Sequence, residues 1–318
     1  MKKAGWVFVA VIIITLMGGM IYKTLNSKDG YIRTEFLFDT ECSVRIYGKN
    51  AEKVATEVFD ELEKINHSTN MYSTSSEVSV INNSLAGVEI EVSPEIIKML
   101  KVADEISNET EGAFDLTVAS VTEIWDFKGQ NPSVPKEKEI AERRERINYK
   151  DIIINEEKNT IVKAYSETKI DLGGIAKGYA ADAIAEILKR NDVKGAIIDL
   201  GGNVVCVGEN PNAKDGLWKV GIQVPFRPTG EYEEIVKLKE GAVVTSGIYQ
   251  RYFEEDGKIY HHIINPKTGY PAEKDYSSVT IVSDSALVAD CLATACFVIG
   301  EEKGSTLAEK YDADIFYQ

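Results

Sequence analysis

The sequence predicts an α+β fold, because segments with the two-residue period of strands and segments with the 3.6-residue period of helices are mixed without a regular βαβ repeat. Of the 318 residues, 44% are hydrophobic and 27% are charged, which is the balance of a folded protein. The pair Asp256-Gly257 lies between two strand-like segments and is typical of a hairpin turn. A chain of this length suits one large domain or two closely joined domains.

The first thirty residues differ from the rest of the chain. Lys2 and Lys3 precede an uncharged apolar run over residues 4–22, long enough at about 1.5 Å per residue to cross a hydrocarbon core. We therefore expect residues 1–30 to be a membrane anchor or signal segment and residues 31–318 to be the working domain. Because the lysines favour an inside N-terminus, we expect a single-pass protein of the cell membrane with an extracytoplasmic domain. A cleaved signal peptide is the alternative, although no A-x-A arrangement ends the run.

In the first half of the working domain, the periodicity of apolar residues predicts strands and helices separated by polar stretches. They are a strand over 35–47, a helix over 51–65, a polar stretch over 66–83, a helix from Ser93-Pro94 to about 108, an exposed excursion over 128–150 and a hairpin over 152–164.

The second half of the working domain contains more patterns that are typical of helices and of strands. They predict a helix over 176–190, strands over 196–207 (interrupted by Gly201-Gly202), 218–224 and 242–244, a hairpin joining 249–253 to 258–264, a strand over 279–282, a helix capped by Ser283-Asp284 that runs to about 299, and a helix over 301–311.

Charge and cysteine content narrow the possible functions. The net charge of −15 repels nucleic acid phosphates, so a nucleic-acid partner is disfavoured. An anionic ligand would need local help from backbone N–H groups, a bound cation or a well-placed lysine. The four cysteines form no CxxC pair and have no histidine at metal-ligand spacing, so we expect small core residues rather than a disulfide or zinc site.

The segment from Asp171 to Asp182 is the most informative stretch. Gly173-Gly174 precedes a helix, whose N-terminus favours a phosphate, and Lys177 adds a positive charge one turn later. Asp171 can accept hydrogen bonds from a ribose or a ring N–H. The alternative is a helix start that needs flexible residues.

Two further elements offer polar side chains. Asp290 and Thr294 lie four apart on one face of a helix and offer the hard oxygen ligands that Mg²⁺ prefers. His262 lies where a strand breaks into a Pro/Gly turn, and only one of His261 and His262 can face a given site. A solvated helix face and a surface histidine are the alternatives.

Aromatic residues in two segments are candidates for stacking on a flat ring. Gly112 is followed by Ala113-Phe114-Asp115, which presents an aromatic ring beside a carboxylate, and Tyr72 lies in a polar stretch that ends at Ser76-Glu77. An ordinary core position is the alternative for both rings.

The order of these motifs along the chain resembles the ApbE family of FAD:protein FMN transferases. The resemblance covers roughly residues 35–315 and depends on seven segments in the same order. They are Tyr72 with Ser76-Glu77, the segment 112–115, the segment 171–182, Asp199-Leu200-Gly201-Gly202-Asn203, Thr245-Ser246-Gly247, the segment 262–271, and Asp290 with Thr294. The resemblance implies an ApbE-like, T-fold-like arrangement of mixed sheets with packed helices.

The resemblance also implies a site and a reaction. The carbonyl of Gly174, the carboxylate of Asp290 and the hydroxyl of Thr294 correspond to Mg²⁺ ligands. The FAD contacts correspond to Tyr72, Ala113, Phe114, Asp115, Asp171, Lys177 and the region of Ile263. Members of the family use FAD as a substrate, attach its FMN half through the phosphate to a Thr or Ser hydroxyl of an acceptor flavoprotein, such as a subunit of an ion-pumping redox complex, and release AMP. This reaction is a post-translational flavinylation.

The reaction also needs a general base. Our hypothesis for the general base is His262, with Asp290 acting through the metal as the alternative. A Mg²⁺-dependent FAD pyrophosphatase and a non-catalytic FAD-binding protein are the rival functions. The chain departs from the family pattern in lacking a lipid-accepting cysteine, in having Asn265-Pro266-Lys267 where Asp-Pro-Arg is common, and in ending at Gln318, where many relatives add a strand.

Overall fold

The computed structural model describes residues 29–129, 131–228 and 230–318. The expected membrane segment over residues 4–22 lies outside these ranges. Among the residues that are described, no helix is both long enough and apolar enough to cross a membrane.

Strands and helices have the following bounds. The strands are β1 (Tyr31–Leu37), β2 (Thr40–Tyr47), β3 (Glu89–Glu91), β4 (Ile152–Asn155), β5 (Thr160–Lys163), β6 (Gly195–Leu200), β7 (Asn203–Gly208), β8 (Trp218–Gln223), β9 (Tyr232–Leu238), β10 (Gly241–Gly247), β11 (Tyr252–Glu255), β12 (Lys258–His261), β13 (Ile264–Asn265), β14 (Tyr270–Pro271), β15 (Ser278–Ser283) and β16 (Asp314–Tyr317). The helices are α1 (Ala51–Thr69), α2 (Glu77–Asn83), α3 (Pro94–Glu109), α4 (Ala119–Trp125), α5 (Glu137–Arg144), α6 (Ala176–Arg190), α7 (Ala286–Ile299) and α8 (Glu301–Lys310).

A seven-stranded sheet forms the centre of the domain, with the order β1-β2-β6-β7-β10-β15-β16. Every neighbouring pair in it is antiparallel. The α+β class is therefore confirmed, whereas the expectation of mixed sheets is wrong. Short hairpin connections, which only antiparallel neighbours allow, join β1 to β2 and β6 to β7.

The central sheet separates two apolar layers. On one face, Val205 and Val207 of β7 pack in the main core with α1, α6 and α7. On the other face, Cys206 of the same strand packs with Trp218 and Val243 under the β8–β9 hairpin. This alternation is the period of two that places successive side chains on opposite faces.

Two predicted single strands are hairpins. The segment 35–47 turns at Phe38 and Asp39, whose φ angles of 52° and 59° are the left-handed pair of a tight two-residue turn. The segment 196–207 turns at Gly201-Gly202, where both φ angles are also positive. The Gly201-Gly202 interruption marks the second reversal in the sequence, whereas Phe38-Asp39 does not mark the first.

Other boundaries differ for local reasons. The polar stretch 66–83 contains the end of α1 and all of α2, and the excursion 128–150 contains α5, which buries Ile140 alone. Strands β9 and β16 were not predicted, because neither contains a buried residue. The N-cap of α7 is Ser285 rather than Ser283-Asp284. The bounds of α6 are confirmed, and the four cysteines are buried and unpaired, as expected.

Candidate active site

A cavity of about 420 Å³ lies where the N-terminal parts of α6 and α7 meet the end of β10. Its walls also include the β1–β2 turn, the end of α1, the segment after α3 and the segment after β12. The cavity brings together the residues expected to contact FAD, to bind Mg²⁺ or to act as the base, namely Tyr72, Ala113, Phe114, Asp115, Asp171, Gly174, Lys177, His262, Ile263, Asp290 and Thr294.

Asp290 is the acidic group at the junction of the two helices. It is only 3% exposed, and its Oδ2 accepts a hydrogen bond of 2.9 Å from the backbone N–H of Gly178. Its Oδ1 lies 3.7 Å from Nζ of Lys177, which is too long for a hydrogen bond. One carboxylate oxygen is thus held by α6, while the other has a positive neighbour but no donor at bonding distance in the described part of the chain.

Thr294 lies one turn after Asp290 on the same helix face, as predicted. Its Oγ1 is 3.1 Å from Oγ of Ser246, in β10, the strand that packs against α7. Gly174 lies beside it, and a Cβ atom on Gly174 would be 3.5 Å from the ring of Phe114 and 3.8 Å from Oγ1 of Thr294. The absence of a side chain at Gly174 therefore leaves space next to this hydroxyl.

The segment that contains Asp171 and Gly174 is fixed from behind by two buried polar side chains. Asn82 accepts from the N–H of Ile170 and donates to its carbonyl, at 2.8 and 2.9 Å. Lys163 is fully buried and donates to the carbonyls of Asn82, Ser166 and Thr168. These contacts satisfy groups that would be costly to bury unpaired, and they fix the backbone that enters α6.

Much of the helix N-terminus is occupied by contacts within the protein. Gly173 donates its N–H to Oδ1 of Asp171, and Gly178 donates to Asp290. Ala176 donates to the carbonyl of Leu172. The expectation that these N–H groups are open to a phosphate is therefore wrong for Gly173, and the positive end of α6 instead supports Asp290.

The ring of His262 has a defined tautomer. Both its backbone N–H and its Nδ1 lie 3.1 Å from the carbonyl oxygen of Arg251. A carbonyl can only accept, so Nδ1 carries the proton and Nε2 keeps its lone pair. Burial, followed by the charge of Arg251, lowers the pKa of His262 to about 3, which keeps the ring neutral. His261 faces the other way and contacts the carbonyl of Ala272 and the ring of Phe297.

The aromatic candidates differ in exposure. Tyr72 is 60% exposed at the edge of the cavity, with Nζ of Lys128 5.0 Å from the centre of its ring. Phe114 is buried beside Gly174. Asp115 uses both carboxylate oxygens within the chain, since it accepts from Thr117 and from the N–H of Tyr149. Its side chain therefore caps the turn at Leu116–Val118, whatever its backbone contacts.

Four further residues that line the cavity were given no role in the site by the sequence analysis. Arg251 and Lys128 are cations near the opening, Asp39 lies between them, and Ser246 contacts Thr294. Ser246 belongs to the Thr245-Ser246-Gly247 motif, so the sequence did contain a signal for it. Nothing in the spacing of Arg251, Lys128 and Asp39 indicates that a hairpin turn brings them together.

The charges that line the cavity do not suit an anion without help. Four carboxylates (Asp39, Asp115, Asp171, Asp290) outnumber the three cationic side chains (Lys128, Lys177, Arg251), and His262 is neutral. A bound diphosphate would therefore need an additional cation beside the carboxylates.

The chain matches the model of the ApbE family over residues 38–317. It is 34% identical to the FAD:protein FMN transferase of Haemophilus influenzae over 273 residues, which cover 84% of this chain and 78% of that protein. It is 32% identical to the FAD:protein FMN transferase of Treponema pallidum over 296 residues, which cover 88% of this chain and 82% of that protein.

Solved structures are similar over the same region. The crystal structure of the ApbE protein from Thermotoga maritima has a TM-score of 0.82 and 32% identity, with 90% of this chain and 93% of that chain covered. The flavin transferase ApbE from Vibrio cholerae has a TM-score of 0.79 and 28% identity, with 90% and 92% covered.

Proposed function

The chain belongs to the ApbE family, and from this premise we infer that it is an FAD:protein FMN transferase whose active site is the cavity between α6, α7 and β10. The observation that carries the assignment of the site is the convergence of Asp290, Thr294, Gly174 and His262, from three separate parts of the chain, on one cavity. The acceptor is a flavoprotein that presents a hydroxyl side chain.

The reaction needs a group that takes a proton from the acceptor. The oxygen of a Thr or Ser hydroxyl attacks the phosphorus of the FMN half of FAD, the bond from that phosphorus to the oxygen of the AMP phosphate breaks, and AMP leaves with the bonding electron pair. The hydroxyl proton passes to the unprotonated Nε2 of His262. The Arg251 carbonyl holds the ring in the tautomer that this step requires.

The donor set at Asp290 fits a magnesium ion. The carboxylate of Asp290, one oxygen of which accepts no hydrogen bond from the described residues, the hydroxyl of Thr294 and the carbonyl of Gly174 are hard oxygen ligands. The absence of a side chain at Gly174 leaves space beside them. A bound Mg²⁺ would supply positive charge for the diphosphate oxygens. Lys177 adds a further charge beside the same carboxylate.

We place the substrate by the remaining contacts. Tyr72 and Phe114 offer ring faces or edges to the flavin, and Asp171 offers a carboxylate oxygen. The wall formed by Ala113, Asp115 and Ile263 completes the FAD site. These positions are proposals that a bound-flavin structure tests directly.

One experiment tests the function against its rivals. The protein is incubated with FAD, Mg²⁺ and a candidate acceptor flavoprotein, and the acceptor is then weighed by mass spectrometry. A transferase adds the mass of FMN less water and releases AMP, a pyrophosphatase releases AMP and free FMN, and a binding protein leaves FAD intact. Asp290→Ala is expected to abolish transfer, and full activity of this variant at low Mg²⁺ would reject the metal site.

We also propose that residues 1–30 anchor the protein in the cell membrane with the catalytic domain outside the cytoplasm. The basis is the apolar run over residues 4–22 behind Lys2 and Lys3. Protease added to cells whose cell wall, and outer membrane if there is one, have been removed should digest the domain. Full protection, or recovery of the intact chain in the soluble fraction, would contradict this placement.

A further inference from the structure

Arg251 lies where an anion in the cavity would meet it. Its guanidinium is partly exposed and lines the cavity, while its own backbone carbonyl holds His262. The charge of Arg251 is also felt by the His262 ring. The residue that orients the proposed base is therefore the one that brings a permanent positive charge close to it.

The contacts of the guanidinium within the protein are weak. The nearest carboxylate oxygen is Oδ2 of Asp39 at 3.9 Å, and the carbonyl of Phe38 lies at 3.5 Å. An arginine that is fully used would make short, paired hydrogen bonds to a carboxylate. Within the described part of the chain, Arg251 thus has donors to spare on the cavity side.

Asp39 holds both cations at the opening. Its Oδ2 accepts a close hydrogen bond from Lys128 in addition to the longer contact with Arg251. It lies at the tip of the β1–β2 turn with a left-handed φ of 59°, and its side chain is 58% exposed. A carboxylate placed in this way offsets part of the charge of the two cations without burying them.

We propose that Arg251 is a substrate-binding residue that donates hydrogen bonds to the diphosphate of FAD, and that Asp39 is the internal counter-ion that the diphosphate replaces. The proposal rests on the function inferred above and adds a residue to that site. Because the attacked phosphorus must come within reach of His262, its non-bridging oxygens come near the side chain of Arg251. The guanidinium then balances the negative charge on the phosphate as the AMP oxygen leaves.

The two residues should have opposite effects on binding. Arg251→Gln removes a charged donor to the diphosphate, so FAD should bind on the order of tenfold more weakly. Asp39→Asn removes a competitor for the same cations, so FAD should bind roughly two- to fivefold more tightly. Asparagine tolerates the left-handed turn, so this change leaves the hairpin intact.

The test is a fluorescence titration of the full chain with FAD and with riboflavin, which has the same ring system and no phosphate. Arg251→Gln should weaken binding of FAD and leave binding of riboflavin unchanged, and Arg251→Lys should fall in between. Raising the salt concentration should weaken FAD binding less in Arg251→Gln than in the parent chain.

The matched control is the ion pair of Arg190 with Glu57, 2.6 Å apart and outside the cavity. Arg190→Gln and Glu57→Gln make the same chemical changes and should leave both affinities unchanged. The proposal is overturned if Arg251→Gln binds FAD as the parent does, if it loses FAD and riboflavin equally, or if Asp39→Asn weakens FAD binding. A parent chain that does not bind FAD at all overturns the proposed function itself, and this inference falls with it.

Discussion

The carboxylate of Asp290 accepts a hydrogen bond from the backbone N–H of Gly178, with 2.9 Å between N and Oδ2. This bond joins α7 to the first turn of α6. At the same point a Cβ atom on Gly178 would lie 2.3 Å from the carbonyl oxygen of Ala286 and 2.7 Å from Cβ of Asp290. The two helices can therefore approach closely enough for the bond only because residue 178 has no side chain.

The first prediction concerns this contact. Gly178→Ala should lower the free energy of unfolding by about 1–3 kcal/mol, because the added methyl group meets backbone rather than a flexible side chain. It should also reduce FMN transfer strongly, since the helices must separate and Asp290 moves with α7. Urea unfolding and the transfer assay measure the two effects.

Gly304→Ala is the control for the previous change. There the closest contact of the added methyl group would be the hydroxyl of Tyr317, the far end of a side chain that can turn away, and Cβ of Cys296 at 3.1 Å would need to shift by only a few tenths of an ångström. This variant should retain transfer activity. Normal stability and normal transfer in Gly178→Ala would show that the helix contact does not position Asp290.

The second prediction concerns the metal requirement. Thr294→Val keeps the shape of the side chain but removes the hydroxyl, which we assign to Mg²⁺. The Mg²⁺ concentration that gives half-maximal transfer should rise by about tenfold or more, the size of effect expected for loss of a ligand or its support. EDTA should stop transfer by the parent chain and by this variant.

Thr280→Val is the matched change. Thr280 is buried on β15, and its hydroxyl pairs with that of Thr245 at 2.8 Å, but it does not line the cavity. It should alter stability without altering the Mg²⁺ requirement. An equal shift in both variants would mean that the effect comes from packing and that the hydroxyl of Thr294 is not a ligand.

Sequence reasoning reached the fold class and most of the elements because local periodicity survives in this chain. The bounds of α6 could be predicted since Ala176 to Arg190 shows a continuous helical pattern. Pairing of strands was harder. The β1–β2 turn has Phe38 and Asp39 in left-handed conformations. The pair Phe-Asp does not predict a hairpin turn, whereas the pair Asp256-Gly257 does.

The site was predicted by residue type and by resemblance, but its contacts were not. The spacing of Asp290 and Thr294 placed them on one helix face, and the structure confirms that geometry. The partners of these groups come from distant parts of the chain, as Gly178 does for Asp290 and Ser246 for Thr294. Arg251 and Asp39 meet only because the β1–β2 turn and β11 border the same cavity, a relationship that no local pattern contains.

The third prediction concerns the pH dependence of transfer. Because burial and the charge of Arg251 lower the pKa of His262 to about 3, the base is unprotonated throughout pH 5–8. The profile of kcat/KM, which reports the free enzyme, should therefore show no acid limb near the ordinary histidine pKa of about 6.5. His262→Ala should reduce transfer by roughly 10²–10⁴-fold while FAD still binds. An acid limb centred near pH 6.5 that disappears in His262→Ala would contradict the lowered pKa.

The fourth prediction is a stability effect of the same group. In the unfolded chain His262 takes up a proton near pH 6.5, whereas in the folded chain it does so only near pH 3, so the unfolded state binds more protons between these values. The stability that comes from the neutral ring is complete above pH 6.5 and is lost as the pH falls. His262→Gln should therefore lose less stability than the parent between pH 7 and pH 5, measured by urea unfolding. Equal losses would reject this assignment.

The fifth prediction concerns Asp182, which holds the start of α7 from α6. Its Oδ1 accepts from the N–H of Ala286 at 2.8 Å, and its Oδ2 accepts from Oγ of Ser285 at 2.8 Å and from the N–H of Leu287 at 3.1 Å. A negative charge with three donors at a helix N-terminus is a favourable arrangement. Asp182→Ala should lower the free energy of unfolding by about 2–3 kcal/mol.

Loss of the Asp182 hydrogen bonds should also disturb the position of Asp290, because Asp290 lies one turn beyond the residues that Asp182 contacts. Asp182→Ala should need more Mg²⁺ for transfer, and added FAD with Mg²⁺ should recover part of its stability, since ligands that bind only the folded state stabilise it. Ser285→Ala removes the N-cap bond to Val288 and one of the three donors to Asp182, but leaves the two N–H donors, and should cost about 1 kcal/mol. If Asp182→Ala is no less stable than Ser285→Ala and has the parent's Mg²⁺ requirement, the start of α7 is held by packing alone, and the position of Asp290 does not depend on this carboxylate.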